Sequence, residues 1–197
     1  MAGQHPERAD AAANRKRILC AARRLLREQG PDALTMQAVA SAAGVGKGTV
    51  FRRFGDRESL THALLDDYMR EFQEAFLHGP PPLGPGAPPE ERLEAFVVEL
   101  VRLQADHLQI ALAAEAAPGR APGLVYGPVL LHIATLVKQI DPTVDERLVA
   151  GLILSAIAPA VLHRMTSQLN ADTPKLQDAA RALLRGLTRS CAKPPTA

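Results

Sequence analysis

The sequence predicts an all-α protein, and three observations carry that prediction. Apolar residues recur at helical spacing in almost every segment between breaks, as in Leu60, Leu64, Tyr68, Phe72 and Phe76. No segment alternates apolar and polar residues as a half-buried strand does. Aromatics are 4% of the 197 residues and Trp is absent, which argues against a β-sandwich and against stacking platforms for single-stranded nucleic acid. At 47% apolar the chain is not globally disordered, and it is long enough to bury a real core.

Residues 1–10 are polar and read as a flexible arm. From Ala11 to Gln29 an amphipathic helix carries Ile18, Ala22, Leu25 and Leu26 on one face, and Gly30-Pro31-Asp32 stops it. Thr35 can cap a short helix from Met36 to Ala43, with Gly44 placed for a left-handed C-terminal turn. A second short helix, Lys47 to Phe54, presents Val50, Phe51 and Phe54 inward. Gly55 ends it, and Asp56 caps the long helix that follows, with Glu58 favourable in its first turn. The block GPPPLGPGAPP (79–89) holds six of the 16 prolines and can only be a loop. Beyond it, one helix is expected over 90–117, with Leu93, Phe96, Val97, Leu100, Leu103, His107 and Leu108 on its apolar face. PGRAPG (118–123) breaks the chain before a helix over 124–140. Thr143 is the expected cap of a long helix to about Gln168, which Pro159 must kink or interrupt. A last helix runs from Asn170–Pro174 to about Leu187.

The net charge of +2 hides an uneven distribution. Between Arg8 and Arg57 stand 11 basic and four acidic residues, a net +7, whereas residues 58–197 carry −4. A basic head on a mildly acidic body suits a partner that is a polyanion. No apolar stretch precedes the N-terminal charges, so a secretory signal is excluded. The longest apolar run, Leu148–Leu162, is 15 residues, short of the ~20 that span a bilayer. Cys20 and Cys191 form no disulfide framework. Cys20 reads as a small core residue and Cys191 as a tail thiol. The expectation is a cytoplasmic protein with no membrane partner.

Two short helices joined by a glycine turn inside the basic quarter make a helix-turn-helix candidate. Burying Val50 and Phe54 leaves Lys47, Gly48, Thr49, Arg52 and Arg53 outward. Lys and Arg supply phosphate charge, Arg can grip guanine O6 and N7 bidentately, Thr can meet a thymine methyl, and Gly48 lets the backbone approach the groove.

The run TMQAVASAAGVGKGTVFRRFGDRESL (35–60), with RKRILCAARRLLREQG before it, closely resembles the DNA-binding signature of TetR-family transcriptional regulators over roughly residues 12–70. The resemblance implies a three-helix DNA-binding domain over 11–56 and a helical ligand-binding and dimerisation domain over 57–190. It implies that Thr35 caps the second helix and touches phosphate. Lys47, Gly48, Thr49, Phe51, Arg52 and Arg53 then lie on or beside the recognition helix, and Arg57, where the family usually has Lys, binds phosphate. Two departures stand out. Gly46 replaces a common Ser and loses a cap, and Phe51 replaces a common Tyr and loses a hydroxyl.

Other motifs fall away. GVGKGT (44–49) is no phosphate loop, because Ser41 stands where Gly is needed and Gly48 where Ser or Thr must follow Lys. His62 and Asp66, one turn apart, are too few to hold a metal. No cofactor or metal is called for. An enzyme would need clustered ionisable residues in its core, and the apolar helices of the body supply almost none.

A helix apolar on all sides must be covered on all sides. The run 148–162, with Leu152, Ala156, Pro159 and then His163, can meet the chain's own core on one side and a second subunit on the other. The stripe Leu176, Ala180, Leu183, Leu184 and Leu187 is its complement in a four-helix dimer interface. Such dimers are also what the resemblance implies. It further implies a pocket for a small-molecule effector, among Met69, Phe72, Phe96, Leu100, Leu103, His107, Tyr126, Leu130 and Ile133. The expected function is a ligand-responsive repressor that binds a palindromic operator as a homodimer. The alternative is a helical small-molecule carrier or protein-interaction module without specific DNA binding.

Overall fold

In the computed structural model residues 6–116 and 123–191 are described, with side chains over 10–112 and 127–186. The described residues form ten α-helices and one 3-10 turn: α1 (Pro6–Gln29), the turn Pro31–Ala33, α2 (Met36–Ala43), α3 (Lys47–Phe54), α4 (Arg57–His78), α5 (Pro89–Asp106), α6 (Leu108–Ala116), α7 (Gly123–Ile140), α8 (Glu146–Ala156), α9 (Pro159–Leu169) and α10 (Thr173–Cys191). The all-α expectation holds. The chain divides into two compact units, Met1–Asp67 and Tyr68–Ala197. That division falls inside α4, whereas the expected one was at its start.

In the first unit α1 packs on α2 and α2 on α3. Ile18, Leu19, Ala22, Leu25, Leu34, Met36, Val39, Ala40, Val50, Phe54, Leu60 and Leu64 are buried. The helix starts at Pro6, so residues 6–10 of the expected arm are helical, and residues 1–5 lie outside the described residues. Proline suits this position because a first-turn N–H has no helical acceptor to lose. Cys20 was expected in the core and is exposed. It sits two residues, or about 200°, around the helix from Ile18, on the opposite face.

The second unit closes around Phe72, Phe76, Phe96, Leu100, Ile133, Leu136 and Leu162. The three phenylalanines meet with ring centroids 4.8 to 5.4 Å apart. The proline block is a loop, as expected, between α4 and α5. Gly84 is required there, because a Cβ would collide with the carbonyl of Gly79.

Three helix boundaries depart from expectation. The helix expected over 90–117 is two, interrupted at His107 (φ −122°, ψ 27°), whose ring stacks on Tyr68 at 3.8 Å. No Gly or Pro marks that break. Thr143 is not the cap of the next helix. Its amide and hydroxyl both donate to the Asp141 carboxylate, and Asp145 caps α8 by accepting from the amides of Arg147 and Leu148. Pro159 ends a break at Ile157–Ala158 and becomes the first residue of α9.

By length and composition the stretch Glu146–Leu169, 24 residues long, is apolar enough to cross a membrane, its most apolar 18-residue window having a mean hydropathy of 1.7. Here it is broken at that proline, and Ala150, Ile153, Ile157 and Leu162 belong to the core.

Phe96 is fully buried where the three rings converge. Phe96→Ala should therefore cost about 3–5 kcal/mol of stability by urea or thermal unfolding, with the helical signal of the folded state retained.

Candidate nucleic-acid interface

The local sequence dictates each part of the first unit's basic face. Thr35 Oγ1 accepts from the Ala38 amide at 3.1 Å, satisfying one free donor at the start of α2. The helix ends on Gly44 with φ 63°, a left-handed conformation that a β-carbon would strain. The turn to Gly46 leads into α3, whose N-terminus has no side-chain cap, as the Gly46 departure implied.

On α3, Val50 and Phe54 are buried while Lys47, Gly48, Arg52 and Arg53 are exposed and Thr49 is half-buried. Phe51 was expected inward but is 42% exposed, with the Lys47 ammonium 5.5 Å from its ring centre. Val50 and Phe54 stand one turn apart and take the inward face, leaving Phe51 on the flank. That keeps Phe51 on the same side as the basic set.

Two arginines of the candidate set hold backbone carbonyls. Arg53 Nη2 donates to Ala11 of α1 at 3.1 Å. Arg57 donates from Nε to Leu34 at 2.9 Å and from Nη2 to Pro31 at 2.8 Å. Asp10, Ala11, Asn14, Thr49, Arg52 and Arg53 line a cleft of about 320 Å³ between the start of α1 and α3. Sequence reasoning singled out neither Asp10, which it placed in the arm, nor Asn14 of the expected helix.

Other cations brace the unit. The Arg15 guanidinium lies 5.9 Å from the Phe54 ring centre, Arg24 donates to the Ala42 carbonyl at 3.2 Å, and Arg23 pairs with Asp67 at 2.6 Å. Asp56 caps α4, accepting from the Ser59 amide at 2.7 Å, and that bond holds its carboxyl below the usual range.

In the second unit Phe72, Phe96, Leu100, Leu103 and Ile133 of the expected effector pocket come together in one core, with Met69 and Leu130 packed against it. His107 is half-buried against Tyr68. The Tyr126 side chain lies outside the described residues. An open groove of about 690 Å³ lies elsewhere, where the Pro80–Leu83 segment, α5 and α10 meet. Its lining combines Leu93, Val98 and Leu184 with Glu90, Glu94 and Arg181.

Sequence reasoning missed two polar groups in this core. Gln104 is 6% exposed, and its Oε1 has no hydrogen-bond partner among the described residues. His132 lies between Phe76 and Phe96, with ring centroids 4.4 and 4.7 Å away. Burial first, and the Arg92 charge second, push its pKa down to about 4. The helical register of both was a usable signal, Gln104 standing one turn from Leu100 and His132 one turn from Leu136.

The expected subunit interface is divided. Leu152 and His163 are exposed, Leu183 is exposed, and Ala156 is half-buried. Pro159, Leu176, Ala180 and Leu184 turn into the chain's own interior, because α10 packs on α5 through that stripe. Leu187 lies outside the residues whose side chains are described. Leu148, which was not singled out, is 68% exposed one turn from Leu152 at 72%.

A short helix held by two buried residues, preceded by a glycine turn and carrying its cations outward, defines a helix-turn-helix DNA-binding domain joined to an all-helical body. The profile described as "Bacterial regulatory proteins, tetR family" matches residues 18–64. Residues 18–64 thus carry the DNA-binding signature of TetR-family transcriptional regulators.

Among curated proteins it is 38% identical over 95 residues to the HTH-type transcriptional repressor KstR of Rhodococcus jostii (strain RHA1), covering 48% of this chain and 42% of that one. The chain thus spans about two fifths of the length of such relatives. Among solved structures, a TetR-family regulator from Pectobacterium atrosepticum superposes with a TM-score of 0.71 at 21% identity, covering 95% and 98% of the two chains. FadR from Bacillus subtilis in complex with stearoyl-CoA gives 0.61 at 19% identity, covering 86% and 96%. These likenesses extend the family's fold over the helical body.

His132 yields a prediction of pH dependence. Its pKa is lower in the folded chain than the ordinary 6.5, so the unfolded chain binds the extra proton. The stability it supports is complete above about pH 6.5 and is lost as pH falls toward about 4. His132→Phe should flatten that part of the profile when urea midpoints are compared across this range, and an unchanged slope would contradict the assignment.

Proposed function

We propose that this chain is a dimeric, effector-responsive repressor that binds a palindromic DNA site. The observation that carries the reading is α3, an eight-residue helix with Val50 and Phe54 buried and Lys47, Thr49, Arg52 and Arg53 on its open side. In the major groove Arg52 reads base edges, being exposed, while Arg53 is steadied by the Ala11 carbonyl. Lys47 and Thr35 meet phosphates and set register. Two such helices related by a two-fold axis read two half-sites about one helical turn apart.

The second copy covers the apolar face of α8. Leu148 and Leu152 form an exposed pair one turn apart, and among the described side chains of the expected stripe Leu183 of α10 is left outside the core. Exposed apolar residues that adjoin on one helix face are the kind of surface that a second subunit covers. The effector we propose has a long apolar chain and a polar end, received among the helices carrying Phe72, Phe96, Leu100 and Ile133, with Gln104 and His107 as polar handles. The distant relative bound to stearoyl-CoA supports that class. Such a ligand releases DNA only by binding the DNA-free state better, a coupling typically of about 1–3 kcal/mol.

Fluorescence anisotropy with a duplex selected by the chain from a random library tests the DNA reading. Arg52→Ala should weaken the selected duplex by about 1–3 kcal/mol and leave random DNA nearly unchanged. Lys47→Ala should weaken both and reduce the salt slope by about one. Wild-type protein that enriches no sequence would reject the DNA reading in favour of a carrier or interaction module.

Leu148→Glu with Leu152→Glu should give monomers in sedimentation velocity, with helicity intact. A persistent dimer would exclude the α8 face. Stearoyl-CoA should release the selected duplex where coenzyme A alone does not.

A further inference from the structure

Arg57 opens α4 at the position where resemblance calls for a phosphate ligand, yet two of its five N–H donors are already engaged. Nε donates to the Leu34 carbonyl at 2.9 Å and Nη2 to the Pro31 carbonyl at 2.8 Å. These two carbonyls bracket the 3-10 turn Pro31–Ala33, which the Leu34 amide also closes on Pro31 at 3.2 Å. Leu34 is buried, so the far end of the clamp is fixed in the core. The next residue is Thr35. Its amide donates back to Ala33 at 2.8 Å, and its hydroxyl caps α2 at the Ala38 amide.

We propose that Arg57 is a positioning residue for DNA recognition. Its guanidinium clamps the 3-10 turn and thereby fixes Thr35 and the N-terminus of α2 in the geometry that sequence-specific binding uses. A planar guanidinium can hold two carbonyls at once, whereas an ammonium keeps the charge without the fork. A residue acting only as a charge near phosphate tolerates Lys, and a clamp does not. The proposal deepens the DNA-binding reading and rests on it for its functional half. The clamp itself can be measured without DNA.

The test compares Arg57→Lys, Thr35→Val and the double variant with wild type. Circular dichroism first establishes that each is folded at the working temperature. Two probes are titrated across a salt series: the duplex selected by the wild-type chain and a random-sequence duplex. Arg57→Lys should weaken the selected duplex on the order of tenfold while keeping wild-type affinity and salt slope on the random one. In the Thr35→Val background Arg57→Lys should cost less than it does alone, because the two residues act through one turn. Without DNA, Arg57→Lys should speed hydrogen exchange at the Leu34, Thr35 and Ala38 amides.

An Arg57→Lys variant equal to wild type on both duplexes overturns the positioning role, and so do fully additive losses. If the wild-type chain selects no duplex, the DNA-binding reading falls. Exchange rates then decide the clamp alone, and unchanged rates at those three amides overturn it.

Discussion

A helix of eight residues has almost no stability of its own in water, where isolated helices below about 12–15 residues are marginal. Helix α3 therefore exists because Val50 and Phe54 are buried against the rest of its unit. That single constraint organises the head. It leaves the remaining positions of the helix to face solvent, and those positions hold Lys47, Gly48, Thr49, Arg52 and Arg53. It also requires the neighbouring elements to be rigid, because a surface anchored by two side chains is only as well placed as what they rest on. Arginines do much of this bracing, with Arg15 beside Phe54, Arg24 on the end of α2, Arg53 on α1 and Arg57 on the turn before Thr35. Three of them donate to backbone carbonyls and Arg15 rests on a ring, so one set of residues both stiffens the unit and makes it basic.

The body meets a different constraint. Its apolar helices must bury more than one small core can cover, and the three phenylalanines on α4 and α5 supply the centre. The α10 stripe then closes over α5, and α8 packs on α7. Among the apolar residues left in water are Leu148 and Leu152 on the outer face of α8, with Leu131 of α7, Leu169 of α9 and Leu183 of α10. The charge division follows the same line. The basic excess lies in the first unit, and the second is close to neutral.

Much of the fold was legible in the sequence because short-range signals carry it. The bounds of α2 and α3 were readable from Thr35, Gly44 and Gly55, since caps and left-handed turns are local chemistry. The break at His107 was not, because the ring that stacks on it belongs to Tyr68, far away in sequence. The cap at Asp145 was misplaced by two residues because Thr143 is held by Asp141 instead. Leu176, Ala180 and Leu184 have the spacing of an interface, but spacing does not say whether the covering surface is another subunit or the chain's own α5. Likewise, the outward register of Lys47, Gly48, Arg52 and Arg53 was readable from the inward pair Val50 and Phe54. That Arg57 and Arg53 also hold carbonyls is a tertiary fact that no periodicity encodes.

The central claim is that two copies of α3 read DNA as a symmetric pair. Hydroxyl-radical footprinting of a duplex enriched by the chain from random sequence tests it most directly. The account predicts two equivalent protected patches on one face of the duplex, centred about 34–36 Å apart and related by the symmetry of a palindrome. A single patch, or uniform protection without a repeated half-site, would contradict it.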